Sequence, residues 1–382
     1  MKYIKFFSFF MTVLFFCLSI NLSALTIKST ELDLNVKSAV LIDANTGTIL
    51  YEKNMNTSLP PASVTKIMTL LLVFEAIEEG KLNYDDILTT SENAASMGGS
   101  QVFLEPGEEM SVEELIKCVI IASANDAALT LAEHVAGSEE AFVYHMNIRA
   151  SELGMKNTKF ENVTGLDDNT FNHTTSAYDI ALMSCELLKH KDLQKYTTIW
   201  MDTIRNGEFG LTNTNRLIKF YRGITGLKTG STRKAGFCIS ASAKRDNLHL
   251  IAVIMGAPTS NERNIAATKL LDYGFSNYSI YTDEKQDCGK IKVLKGKKDE
   301  IAIGYNDFQV LENLGKESKI TKEIILNERV KAPLKTGDVV GKIIYKLDDS
   351  VIGENNVIAL ENCEELSFID FLLIAIKKYF FV

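Results

Sequence analysis

A serine hydroxyl attacks a carbonyl only when a base stands ready for its proton. Ser63-Val64-Thr65-Lys66 supplies both groups. At the start of a helix that spacing puts the two side chains on one face, one turn apart. A lysine becomes such a base when burial and a nearby cation depress its pKa, and Lys228 is the candidate cation. The amide of Ser63, at the helix N-terminus, can meet a developing oxyanion. Downstream stand Ser123-Ala124-Asn125 and Lys228-Thr229-Gly230. Ser123 can relay a proton to a leaving amine, and the Asn125 amide can clamp a substrate backbone. Lys228 supplies positive potential, Thr229 a hydroxyl for a carboxylate, and Gly230 a missing side chain where a substrate backbone approaches. The amide of Ser231 is the second candidate oxyanion donor. Together the three strings describe attack on a carbonyl next to a free carboxylate.

Each string has a plainer alternative. Ser63 and Lys66 can be a helix cap with a solvated lysine, and Ser123 or Asn125 a simple N-cap. Each also has a second copy in the chain. Ser231-Thr232-Arg233-Lys234 lacks a long helical pattern behind it. Ser91-Glu92-Asn93 reads as a helix cap, and its Glu92 opposes an anionic substrate. Lys335-Thr336-Gly337 is followed by Asp338 and reads as a surface turn. Ser63 has the better setting: Pro60-Pro61 precedes it, and an apolar-periodic helix from about Val64 to Glu79 follows.

The elements that must position these groups come in a definite order. Val36 to Asp43 and Thr48 to Tyr51 read as a hairpin around Asn45-Thr46-Gly47. Helical patterns run on to about Lys191, broken by loops near Gly98-Gly99 and from Glu161 to Asn172. Val112 to Ile121 and Ala127 to Val135 flank the Ser123 string. Leu217 to Pro258 is β-rich, with Lys228 at the start of a strand and a hairpin around Arg245-Asp246-Asn247. A helix from Asn261 to Tyr273 closes the block. Hairpin, helices, strands, helix predicts one α/β (α+β) domain whose first and last segments share an antiparallel sheet. Past Tyr278, short alternating stretches (Lys290 to Val293, Glu300 to Ile303, Ile320 to Leu326, Val339 to Ile344) predict a small β-rich domain. The domain reading is therefore a signal segment 1–24, a catalytic domain 25–278, a β-rich domain 279–362 and a terminal helix 366–382.

Composition narrows the function classes. The 382 residues carry a net charge of −8 with basic residues scattered, which argues against a nucleic-acid partner. Lys2 and Lys5 precede an apolar run from Phe6 to Ile20 and then Asn21-Leu22-Ser23-Ala24, an export signal with cleavage expected after Ala24. Cys118, Cys185, Cys238, Cys288 and Cys363 are widely spaced, without a CxxC pair, and predict neither a disulfide framework nor a zinc ribbon. His134, His145, His173, His190 and His249 form no metal-ligand spacing, so no metal is expected. In the tail, Ser367, Asp370, Lys377 and Lys378 share one helical stripe interrupted by Ile374, and apolar residues cover the rest. That pattern predicts an amphipathic helix lying on a membrane surface.

The ordered strings resemble the penicilloyl-serine enzymes. Within them the chain is most similar to the low-molecular-weight penicillin-binding proteins of the serine D-alanyl-D-alanine carboxypeptidase family (peptidase family S11). Further strings carry the likeness: Pro61-Ala62 before Ser63, Asp126-Ala127 after Asn125, Phe160-Glu161-Asn162 with Gly165-Leu166-Asp167, Thr175-Ser176-Ala177-Tyr178-Asp179, and Gly226-Leu227 before Lys228. The resemblance implies a β-lactamase/transpeptidase-like antiparallel sheet flanked by helices. It implies that Ser63 attacks between the last two D-alanines of a peptidoglycan stem pentapeptide, and that Lys66 takes its proton. D-alanine leaves with a proton passed through Ser123 and Lys66, and water hydrolyses the acyl-enzyme. Lys228 and Thr229 hold the terminal carboxylate, Asn125 holds the peptide amide, and penicillin acylates the same serine. No cofactor is implied, and the enzyme is expected to be exported to the outer face of the cytoplasmic membrane. Ser231 stands where some relatives carry histidine. Three rivals remain at this point: a D,D-endopeptidase, a non-catalytic wall-binding or antibiotic-sensing protein, and a class A-like β-lactamase. The last needs an added carboxylate to activate water, usually in a Glu-x-x-Leu-Asn string, and none is expected in this chain.

Overall fold

The computed structural model describes residues 32–168 and 170–380, with the side chains at 375 and 377–380 outside the description. The expected signal segment lies outside the described residues.

A five-stranded antiparallel sheet organises the first part of the chain. Its strands are β1 (Ser38–Asp43), β2 (Ile49–Lys53), β3 (Ile224–Thr232), β4 (Gly236–Arg245) and β5 (Leu248–Ala257), in the order β2-β1-β5-β4-β3. The first hairpin therefore pairs with the last strand, with Val40 opposite Val253 and Ile42 opposite Ile251. Strands β1 and β5 read as nearly continuous apolar runs because both faces of the sheet are covered. Val40, Ile42, Ile251, Val253 and Met255 face a helical block and share its core. That block contains α1 (Lys66–Glu78), α2 (Val112–Lys117), α3 (Asn125–Ala136), α4 (Glu139–Glu152) and α5 (Ala177–Leu187). The opposite face packs on α6 (Ser260–Asn277). There Gly274 lets the helix approach so closely that a Cβ would stand 2.4 Å from Leu250 and 3.0 Å from Leu41.

Two local expectations change. The helix behind Ser63 begins at Lys66; Ala62–Thr65 form a 3-10 turn instead. Lys228 lies in the middle of β3, because Leu217–Phe220 fold as a short helical turn and the strand starts at Ile224. Leu217 to Tyr221 is apolar enough for either state, and its packing decides.

A second β-rich region follows α6. β6 (Tyr278–Asp283) pairs with β9 (Phe308–Asn313). A six-stranded sheet joins β7 (Gln286–Leu294), β8 (Glu300–Tyr305), β10 (Thr321–Leu326), β11 (Val330–Lys331), β12 (Val339–Leu347) and β13 (Ser350–Ala359), in the order β10-β12-β13-β8-β7-β11. Ile301, Ile303, Tyr305, Ile343, Tyr345 and Val357 form its core. The buried Asp283 accepts bonds from Tyr345 Oη at 2.8 Å, Tyr305 Oη at 3.2 Å and Lys322 Nζ at 2.9 Å. Helix α7 (Phe368–Phe380) ends the chain, capped by Ser367 through the Asp370 amide. Its Phe368, Ile369, Phe371 and Leu373 are exposed.

Candidate active site

The strand β3 is the open edge of the main sheet, and the 3-10 turn at Ala62–Thr65 lies against it. The approach is tight at Gly230. A Cβ there would stand 2.8 Å from Ser63 N, 2.9 Å from Pro61 O and 2.9 Å from Val64 N. Only glycine lets the strand edge and the turn amides share this space. In a 3-10 turn, side chains three residues apart eclipse. Lys66 consequently stands over Ser63, with Nζ 3.0 Å from Ser63 Oγ. Ser63 is half-buried and reachable, whereas Lys66 is wholly buried.

Lys66 Nζ has two more partners, Asn125 Oδ1 at 2.5 Å and Thr164 O at 2.9 Å. A neutral amine has two N–H groups and one lone pair. The two oxygens take the two hydrogens, and the lone pair is left for the Ser63 hydroxyl. Burial holds the Lys66 ammonium well below its usual pKa, and the positive charge of Lys228 lowers it further, against a smaller opposing pull from Asp126.

The second cluster joins Ser123, Lys228 and Thr229. Lys228 Nζ donates to Ser123 Oγ at 2.8 Å and to Thr229 O at 3.0 Å. Its pKa is lowered to about 7, first by burial and then by Arg263. Ser123 follows a π-helical turn, Cys118–Ala122, and takes a left-handed φ of 63°. That conformation ends the helix and turns the hydroxyl toward β3, an example of backbone strain held at a site by its surroundings. Asn125 opens α3, its side chain bridging Lys66 and Gly98 O, the latter at 2.6 Å. One N–H of its amide remains for another acceptor. Thr229 Oγ1 donates to Thr214 Oγ1 at 2.7 Å, and Ser231, next along the edge, is exposed.

All eight residues singled out from the sequence thus meet around one cleft: Ser63, Lys66, Ser123, Asn125, Lys228, Thr229, Gly230 and Ser231. The lysines and acids of the duplicate strings do not join the cleft, although Ser231 itself lies on the strand edge. Ser91 caps Glu92–Ala95 and bonds Glu133, Lys234 reaches only the Asp167 carbonyl, and Lys335-Thr336-Gly337 is an exposed turn tied to Asp338 and Asn362. Several supports carried no role in the sequence reading. Gly165, at φ +81°, lies against the Ala62 carbonyl, where a Cβ would be 1.9 Å away. Asp126, fully buried, accepts from Val102 N and Leu104 N and so fixes the loop that supplies Gly98 O. Both belong to strings that carried the family resemblance. Thr214 had no signal, because a lone threonine in a polar run has no distinctive pattern. Among the described residues no group of His, Cys, Asp and Glu side chains is placed to hold a metal ion.

Two Glu-x-x-Leu-Asn strings do occur, Glu79–Asn83 and Glu323–Asn327, and neither is at the cleft. Glu79 follows the end of α1 opposite Lys66, a helix length of about 20 Å. Glu323 lies on β10 and pairs with Lys346 at 2.6 Å.

Residues 25–259 match the family model for D-alanyl-D-alanine carboxypeptidase. The chain belongs to this family. The D-alanyl-D-alanine carboxypeptidase DacF of Bacillus subtilis is 47% identical over 352 residues, covering 90% of this chain and 90% of the relative. Residues 275–365 of the carboxypeptidase match the model for the C-terminal domain of penicillin-binding protein 5. Penicillin-binding protein 5 from Haemophilus influenzae has a similar structure, with a TM-score of 0.75 at 32% identity over 87% of this chain and 99% of that one. The ampicillin-bound form of penicillin-binding protein D2 from Listeria monocytogenes matches with a TM-score of 0.59 at 31% identity, over 64% of this chain and 99% of that one. The mixed α/β fold of the carboxypeptidase, with its β-rich second region, is that of penicillin-binding protein 5.

Proposed function

We propose that this carboxypeptidase removes the terminal D-alanine from peptidoglycan stem pentapeptides through an acyl-enzyme on Ser63. The observation that carries the reading is the Lys66 amine, stripped of water and held 3.0 Å from the Ser63 hydroxyl with its other two partners fixed. In this reading Lys66 takes the serine proton as Oγ attacks the carbonyl between the two D-alanines. The amides of Ser63 and Ser231 receive the oxyanion; one such donor contributes roughly 3–4 kcal/mol to the transition state. The proton then passes through Ser123 and Lys66 to the departing D-alanine. Water takes its place and Lys66 returns as base, so the serine is regenerated.

The substrate carboxylate lies between Lys228 and Thr229. No acid pairs with Lys228 among its hydrogen bonds, so an incoming carboxylate supplies the missing counter-charge and draws a proton back onto the amine. Asn125 offers its free N–H to the peptide carbonyl. Penicillin acylates Ser63 by the same route. Incubation with a peptide ending in two D-alanines, followed by mass spectrometry, releases one D-alanine per peptide in this reading. Cleavage of a cross-link without terminal D-alanine release would favour an endopeptidase instead.

The enzyme acts on the outer face of the cytoplasmic membrane, delivered by the segment 1–24 and held by α7. Support comes from the exposed apolar side chains of Phe368, Ile369, Phe371, Leu372, Leu373 and Ile374. Burying each contributes roughly 1.5–3 kcal/mol. No helix among the described residues is long and apolar enough to cross a membrane, and in this reading α7 lies along the surface. Truncation before Leu366 is expected to free the protein from membrane pellets while sparing activity on a short peptide. Unchanged sedimentation would reject the anchor.

A further inference from the structure

The residue before the nucleophile is in a strained state. Ala62 has φ +50°, a left-handed conformation that costs a non-glycine residue free energy. Something must hold it, and the hydrogen bonds identify what does. The Ala62 carbonyl accepts from Thr65 Oγ1 at 2.9 Å. Thr65 Oγ1 is in turn 2.8 Å from His173 Nε2. At the other side of the ring, His173 Nδ1 accepts from the Glu161 amide at 3.0 Å. Both residues are buried, Thr65 completely and His173 to 5% exposure.

These contacts fix the tautomer. A backbone N–H occupies Nδ1, so the hydrogen of a neutral imidazole is on Nε2. The Thr65 hydroxyl spends its hydrogen on Ala62 O, so it must accept from Nε2–H. The order is Glu161 N–H to His173, His173 to Thr65, Thr65 to Ala62. The same segment that carries His173 meets the nucleophile turn and its base at two further points. Gly165 packs on the Ala62 carbonyl, and Thr164 O takes a hydrogen of Lys66.

We propose that His173, as the neutral Nε2–H imidazole, is a positioning residue for Ser63 and Lys66, acting through Thr65 and the Ala62 carbonyl. It touches neither substrate nor the reacting atoms. Its effect is to keep the strained turn in the one shape that presents Ser63 Oγ to Lys66 Nζ and the Ser63 amide to the cleft. The inference rests on Ser63 being the nucleophile and Lys66 its base.

The surroundings keep the ring neutral. Burial pushes its pKa down to about 4, and the opposing charges of Glu161 and Asp167 are the smaller influence. The Glu161 carboxylate is already occupied by the amides of Phe171 and Asn172, at 2.9 and 3.1 Å. From the nucleophile turn, Thr65 faces the ring and is uncharged. The neighbouring Lys66 turns its amine to Ser63, Asn125 and Thr164. Phe160 meets the ring edge-on at 5.8 Å. Lys159, paired through its backbone with Thr174, lies beside Glu161 and draws that carboxylate's charge. A protonated ring would set an Nδ1–H against the Glu161 N–H and break the chain of bonds at its source.

The test compares penicillin acylation in the full chain and three variants, with the modified residue located by mass spectrometry. His173→Phe keeps a ring and loses both hydrogen bonds. It is expected to acylate about 10²-fold more slowly, the scale of a misplacement near 1 Å. On a peptide ending in two D-alanines its kcat falls while KM holds, because the carboxylate contacts at Lys228 are untouched. His173→Gln restores an amide N–H at the position of Nε2 and returns the rate to within a few-fold of the parent. Thr65→Val cuts the same chain one link later and repeats the His173→Phe loss, which decides the matter should His173→Phe not fold. Parent-like acylation in folded His173→Phe or in Thr65→Val overturns the assignment, as does His173→Gln acylating no faster than His173→Phe. An adduct on a residue other than Ser63 in the parent protein would instead overturn the reading of the nucleophile.

Discussion

Ser63→Ala releases no measurable D-alanine from a peptide ending in two D-alanines and takes up no covalent label from penicillin. The expected loss in turnover is roughly 10⁶-fold, the scale seen when a serine hydrolase loses its nucleophile. The reason is local. The carboxypeptidase has one half-exposed hydroxyl beside its buried amine, at 3.0 Å from Lys66 Nζ. Ser123 is 4% exposed and its hydroxyl is bonded to Lys228. The rest of the cleft keeps its partners in the variant: Lys66 retains Asn125 and Thr164, and Gly230 still meets the turn backbone. Removing one hydroxyl bond of this kind changes stability by about 1 kcal/mol. Thermal unfolding should therefore shift little, and reversible binding of a peptide carboxylate should survive. Chemistry lost with binding retained is the signature of a nucleophile. Turnover in Ser63→Ala at a tenth of the parent rate or better would place the attacking group elsewhere.

The convergence of the candidate site residues was legible because each type is unusual in its setting, and because three strings had to agree. What the sequence reading missed has physical causes. The turn at Ala62–Thr65 is 3-10 rather than α because Ala62 is held at φ +50° by contacts from residues far along the chain, and no local propensity encodes that. Gly165 and His173 act on the turn across about a hundred residues of sequence, so their roles emerge only when the loop folds back. Strand β13 was invisible for a different reason. Its Gly353-Glu354-Asn355-Asn356 segment has the composition of a turn. Pairing with β12 from Leu347–Ser350 out to Val339–Ile358 makes it a strand, an instance of partners overriding propensity. The main sheet was easier. Continuous apolar runs such as Leu250 to Met255 have few alternatives to a strand covered on both faces.

Lys66→Arg separates two roles that a single positive charge can play near a serine. If Lys66 served only to stabilise negative charge, a guanidinium in its place would preserve much of the rate. If it is the base, arginine fails, because a guanidinium cannot release its proton in a protein. The geometry favours the second role. No acid is among the hydrogen-bond partners of Lys66, which are Ser63 Oγ, an amide oxygen and a backbone carbonyl, and the pull of Asp126 is the smallest influence on it. Burial and Lys228 both drive the proton off. Lys66→Arg is accordingly expected to lose at least about 10³-fold in acylation, the upper part of the range for general-base catalysis with misplacement added. The parent enzyme provides the companion test. Its kcat/KM should rise with pH on the acid side as Lys66 loses its proton, with a midpoint below the ordinary lysine value of 10.5. Stability follows the same sign. The unfolded lysine keeps its proton up to its ordinary pKa while the folded one has released it, so between the two values the unfolded state binds more protons and Lys66 contributes stability that grows with pH. Below the lowered pKa the buried ammonium is a cost to the fold, which the enzyme tolerates to keep a neutral amine beside Ser63. A kcat/KM profile flat across that window, or an arginine variant within tenfold of the parent, would remove Lys66 from the role of base.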